Sequence, residues 1–138
     1  MLEQVLESFP DKVKIVFKHY PLGSHPLAAK AAFTAQAAHR QGKFWGLHDE
    51  LFRHNGQLSE TKLQDAVRSQ GVHAEQLERD LKDPRVTAHV QSDVNEAFRI
   101  GVRGVPAVFV NGKRLRDRSY ASLAAAVEKE LAKRSAKN

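Results

Sequence analysis

The sequence contains no cysteine. Disulfides, thiolate metal ligands and every mechanism that needs a thiol are thereby excluded for this chain. Long apolar runs are missing too: the longest are a few residues, against the ~20 that a helix needs to cross a bilayer. The opening Met1-Leu2-Glu3-Gln4 has no basic start and no apolar stretch, so no export signal is read there. Gly101-Val102-Arg103-Gly104 precedes no helical pattern, which argues against a phosphate-binding loop. No G-x-S-x-G elbow is present. With 8 Gly and 5 Pro in 138 residues, and neither an internal repeat nor a low-complexity linker, collagen-like and disordered classes are poor fits.

What is present reads as one globular domain, since domains cluster near ~100–150 residues. Hydrophobic residues make up 41% and charged residues 28%, both ordinary values. The formal net charge of +6 is lopsided. Residues 1–110 hold 14 basic and 13 acidic residues, whereas 111–138 hold 8 basic and 3 acidic. A basic tail can attract nucleic acid or anionic lipid. A solvated helix end is the better reading, because cations are favoured near a helix C-terminus.

Leu2, Val5, Leu6 and Phe9 have helical spacing, stopped by Pro10-Asp11. Val13 to Lys18 predicts a strand, with Val13, Ile15 and Phe17 alternating with Lys14 and Lys18. Pro21, Gly23 and Pro26 mark a loop. From Leu27 to about Gly101 the pattern is helical in pieces. An Ala-rich stretch runs from Leu27 to Gln41. Phe44, Leu47, His48 and Leu51 form the next stripe, with Trp45 and Phe52 beside it. Ser59 is a plausible N-cap for a helix carrying Leu63, Ala66 and Val67, ended by Gly71. A short piece carries Leu77 and Leu81, and Asp83-Pro84 is a helix start that places Val86, Val90, Val94, Ala97 and Phe98 on a buried face. Ala107 to Val110 reads as a short buried strand, Asn111-Gly112 as a two-residue hairpin turn and Lys113 to Leu115 as the return. Ser119 caps a last helix with Tyr120, Leu123, Val127 and Leu131 facing inward.

Seven histidines invite a metal reading. His48 and His54 are six apart and share no helix face, and His48-Asp49-Glu50 is not an H-E-x-x-H pattern. Packing or surface histidines are the better account. Asp49 and Glu50 beside His48 could form an acid/base pair, but adjacent helix positions diverge by about 100°. Residues 113–118 are basic without the interleaved aromatics of a single-strand platform. The unusual segment is Gly101 to Gly112, in which Pro106 opens a strand directly. A proline there cannot donate to a sheet ladder. Its X-Pro bond, in so tight a turn, is a candidate for cis geometry, which about 5–6% of X-Pro bonds adopt. The Val105 amide and carbonyl would then point outward and could pair with an extended peptide.

These residues resemble the DsbA-like branch of the thioredoxin superfamily. Gly101 to Gly112 is similar to that family's cis-proline loop and hairpin. Phe17-Lys18-His19-Tyr20-Pro21-Leu22 with His25-Pro26 resembles its second strand and outgoing loop. Ala28 to Leu51, especially Gly42-Lys43-Phe44-Trp45 and His48-Asp49, resembles its inserted helical domain. The resemblance implies an α/β, thioredoxin-like fold with residues 1–26 and 102–138 as a partial core and 27–101 as the helical insertion. It implies thiol–disulfide exchange on extended protein segments, in proteins usually exported to the bacterial envelope. The departure is the Cys-Pro-x-Cys dithiol, which the family carries between its first strand and first helix. Leu2 to Phe9 resembles only the last half of that helix, so the first strand, the dithiol and the helix's opening turns are expected to be missing. Of the family's site, Val105 and Pro106 carry over as substrate-binding residues; no catalytic residue, metal or cofactor does. Peptide is the expected partner, and neither nucleic acid nor membrane is. In that fold the first strand separates the second from the one after the cis-proline. Without it, Val13–Lys18 and Ala107–Val110 are expected either to pair directly or to meet a second copy in a homodimer through exposed sheet edges. A non-catalytic peptide-binding module and a basic interaction protein stand as alternatives to a redox-inactive oxidoreductase domain.

Overall fold

The structure, a computed structural model, describes residues 1–54 and 56–136. The last two residues of the basic tail, Lys137 and Asn138, lie outside them. The chain divides into two compact units, one made of Met1–Phe17 and the chain from Val102 onward, the other of Lys18–Gly101. Seven helices and one two-stranded sheet are found among the described residues.

Among the described residues, every regular element of the unit Lys18–Gly101 is a helix. The unit contains α2 (Ala28–His39), α3 (Phe44–Arg53), α4 (Glu60–Ser69), α5 (Ala74–Leu81) and α6 (Pro84–Arg99). Alanines let α2 pack closely, and Ala35, Ala37 and Ala38 are buried. Helix α2 lies against α3, α5 and α6, and α3 against α4. Leu47, fully buried, anchors α3 beside Phe44. Local chemistry starts the helices as the sequence indicates. Ser59 Oγ accepts from the Lys62 amide at 3.2 Å. Asp83 Oδ1 accepts from the Arg85 amide at 2.9 Å, with Pro84 at the first helical position. One expected face is rotated. Val86 and Val90 are buried, but Phe98 is 65% exposed and the buried line of α6 continues through Asp93. Positions 86, 90 and 93 follow the 3.6-residue period, and Phe98 falls beside it.

The other unit holds α1 (Leu2–Ser8), β1 (Phe109–Val110), β2 (Lys113–Arg114) and α7 (Tyr120–Ser135). Its core is Val5, Leu123 and Val127, with Phe9, Val13, Val108, Val110, Leu115 and Leu131 packed against them. Strands β1 and β2 form an antiparallel hairpin in the register Phe109↔Arg114 and Val110↔Lys113. Asn111 and Gly112 turn it with φ of 46° and 78°, the left-handed values this turn demands.

Two expectations about strands are corrected here. Val13–Lys18 forms no ladder, and Ala107–Val110 is a strand only over its last two residues. Direct closure of the two is absent: among the described residues, no backbone hydrogen bond joins 13–16 to 105–110. β-propensity records a fit to a pleated surface, and a strand also requires a partner's donors and acceptors. Residues 13–16 have the pattern without the partner.

Candidate functional site: the Val105–Pro106 loop

The loop begins where α6 ends. Gly101 takes a φ of 79° after the helix, and Val102 is buried. Arg103 to Pro106 are exposed. The Val105–Pro106 peptide bond is cis. Val105 is 43% exposed. Among the described residues its amide and carbonyl make no hydrogen bond.

One side of the loop is covered by the chain that follows β2. The Leu115 amide donates to the Val108 carbonyl at 2.9 Å. Arg118 Nη1 donates to the Pro106 carbonyl at 3.0 Å. Residues 115–118 therefore run back along 106–108. Backbone groups alternate in direction along an extended chain. Val108 and Val110 face the return strand, and Ala107 presents its groups to the opposite edge. Pro106 carries no amide and turns its carbonyl to Arg118 on the return side.

The hairpin is held to α7 by Glu130. Its carboxylate accepts from Lys113 Nζ at 2.8 Å, Lys133 Nζ at 2.6 Å and Asn111 Nδ2 at 3.4 Å. These donors lower its pKa to about 2, Lys113 contributing most. The start of α7 is fixed by Ser119 Oγ, which accepts from the Ser122 amide at 3.2 Å. Asp117 accepts from Ser119 Oγ and Ser122 Oγ at 2.6 and 2.5 Å, and these bonds hold its carboxyl below the usual carboxylate range.

Sequence reasoning reached Val105 and Pro106, which adjoin on the loop, and missed Arg118. Twelve residues separate Arg118 from the carbonyl it binds, and no local motif links them.

The helical unit holds a second polar cluster that sequence reasoning also missed. Asp93, only 3% exposed, accepts from the His19 amide at 3.0 Å and faces Lys18 Nζ at 3.1 Å. Lys18 also meets Glu96 at 2.9 Å, and the two carboxylates, Glu96 first, raise its pKa. The buried His19 ring has Nε2 3.2 Å from Gln36 Oε1 and lies edge-on to Phe44. Burial lowers the His19 pKa below 6.5. The available signal was an aspartate on the apolar line of α6. These groups fasten residues 18–19 to that helix. His48 Nδ1 does reach the exposed Asp49 Oδ1 at 2.9 Å, contrary to the expected divergence of neighbours. No group of three or more His, Asp or Glu side chains able to hold a metal occurs among the described residues.

Comparison with known proteins places this geometry in a family. Over 118 residues the chain is 34% identical to a Na(+)/H(+) antiporter NhaA 1 of Mycolicibacterium gilvum, covering 83% of this chain and 19% of the antiporter. Over 103 residues it is 36% identical to NhaA 3 of Salinispora tropica, covering 74% of this chain and 16% of that protein. The chain thus spans less than a fifth of the curated relatives it matches. Its structure is similar to a thioredoxin-like oxidoreductase from Silicibacter pomeroyi, with a TM-score of 0.80 and 27% identity, over 94% of this chain and 75% of that one. The family model of the DSBA-like thioredoxin domain matches residues 1–128. An α/β chain with a helical insertion, a cis-proline loop before a hairpin and these matches belongs to the DSBA-like thioredoxin domain family.

Proposed function

We propose that this chain is a peptide-binding domain that holds extended polypeptide at the Val105–Pro106 loop and performs no thiol–disulfide exchange by itself. The observation that carries the reading is the unpaired backbone of Val105 on an exposed loop edge, in a chain with no cysteine. An extended segment laid along that edge would exchange main-chain hydrogen bonds with Val105 and Ala107, as in strand addition. Thiol chemistry requires a thiolate nucleophile, and this chain has none to supply.

Among the described residues no helix is long and apolar enough to cross a membrane. Two assays test the proposal together. Insulin reduction by dithiothreitol should not accelerate when the chain is added, and a fluorescently labelled extended peptide should gain polarisation. Turnover above background, or no peptide binding at millimolar protein, contradicts it.

A second reading rests on residues 13–16, whose backbone has no ladder partner. Two copies could satisfy these edges mutually. Light scattering after size exclusion should then show a dimer, and a monomer at every concentration rules it out.

A further inference from the structure

The hairpin register says where its further rungs should fall. Val110 pairs with Lys113, and the Leu115 amide donates to the Val108 carbonyl at 2.9 Å. Hydrogen-bonded pairs recur at every second residue of an antiparallel ladder, so the next rung would join Pro106 to Asp117. Neither main chain supplies it. Pro106 has no amide. Among the described residues, the Asp117 amide makes no hydrogen bond to the Pro106 carbonyl. The chain leaves the ladder there to begin α7. Asp117 accepts from the Ser119 amide at 3.1 Å, from Ser119 Oγ at 2.6 Å and from Ser122 Oγ at 2.5 Å. A side chain takes the Pro106 carbonyl instead: Arg118 Nη1 donates to it at 3.0 Å.

We propose, resting on the peptide-binding reading above, that Arg118 is a positioning residue for that site: its guanidinium replaces the missing main-chain rung and holds residues 105–107 in line with the hairpin. Arg118 stands on the return side of the loop and acts through the Pro106 carbonyl, not on the peptide. A charged donor makes this rung stronger than a neutral one. Asp117 sets the backbone from which Arg118 reaches, because its bonds to Ser119 and Ser122 tie the strap 115–118 to the first turn of α7. A loop ordered before binding has less freedom to lose when peptide arrives. Losing the rung therefore weakens binding while every group that pairs with the peptide is still present.

The test compares the whole chain with Arg118→Met, which keeps the length and removes the donors, Arg118→Lys, which restores a charged donor, and Arg116→Gln, which removes a neighbouring charge only. The probe is an uncharged extended peptide of alternating Val and Thr, followed by fluorescence polarisation, so that lost charge does not act on it directly. Arg118→Met should bind it ~3- to 10-fold more weakly, Arg118→Lys should recover most of the loss, and Arg116→Gln should match the parent chain. In the free protein, NMR order parameters of the Val105 and Ala107 amides should fall from about 0.85 towards 0.6 in Arg118→Met, while the Leu115 amide keeps its protection from exchange. If the parent chain binds no peptide, the peptide-binding reading fails and this role with it. If it binds and Arg118→Met binds equally well, or if the order parameters do not change, the role of Arg118 alone is overturned. Loss of Leu115 protection in Arg118→Met also overturns it, since the whole strap would then have come away.

Discussion

The unit Lys18–Gly101 is built of helices, which pair their own backbone, whereas the unit built on α1, α7 and the hairpin leaves residues 13–16 unpaired. Both have apolar cores and capped helices, so composition does not separate them. The difference lies in where hydrogen bonds are made. A helix pairs each amide with a carbonyl four residues away and needs only caps at its ends. An extended segment depends wholly on a neighbour. Residues 13–16 and Val105 show the consequence: apolar side chains nearby are satisfied by packing, as with Val13 and Val108, while these backbone groups stay unpaired. The half of the molecule that is incomplete in this sense is the half to which the peptide-binding proposal assigns a partner.

The largest effect should come from the core of the self-sufficient unit. Leu47→Ala removes a fully buried side chain and should cost about 2–5 kcal/mol. Trp45, the chain's single tryptophan, is in the same helix, so its fluorescence follows that unit in denaturant. A loss well under 1 kcal/mol would mean that the helical core is loosely packed and the contrast drawn here is overstated.

Asp93→Ala should cost less, about 1–3 kcal/mol, by leaving the His19 amide buried without its acceptor. The same fluorescence measurement reads it. An unchanged midpoint would show that residues 18–19 are not fastened through α6.

The smallest effect is in the pH response, where the two units should separate. His19 has its pKa lowered by burial from 6.5. In the unfolded chain it therefore takes up a proton first, and the stability it contributes at higher pH is lost as pH falls through 6.5 and below. Glu130 is lowered from 4.5 to about 2. Its contribution is present above 4.5 and is lost only as pH falls from there towards 2. On acidification the fluorescence midpoint should decline first, with His19→Gln removing that step. The side-chain resonance of Glu130, followed by NMR, should titrate only at lower pH. The reverse order would contradict the assignment of these two groups.

Much of this organisation was legible in the sequence because it is local. Ser59, Asp83-Pro84 and Ser119 start helices through bonds to residues two or three positions away. Asn111-Gly112 carries its own turn geometry. The loop at Val105 and Pro106 was found from a contiguous motif. The misreadings concern what distant residues do. Val13–Lys18 has strand composition, but composition does not say whether a ladder exists. Asp93 lies among apolar positions of α6, and its partners Lys18 and His19 come from more than seventy residues earlier. Arg118 reaches the Pro106 carbonyl across an entire hairpin. Spacing rules describe one element at a time, and these contacts exist only once two elements have met.

Amide hydrogen exchange, read residue by residue with and without saturating extended peptide, tests the central claim most directly. The account predicts that the Val105 and Ala107 amides exchange rapidly in the free chain and slow by at least ~10-fold when peptide is bound, as new main-chain hydrogen bonds protect them. Protection confined to Lys18–Gly101, or no change at Val105 under saturating peptide, would contradict it.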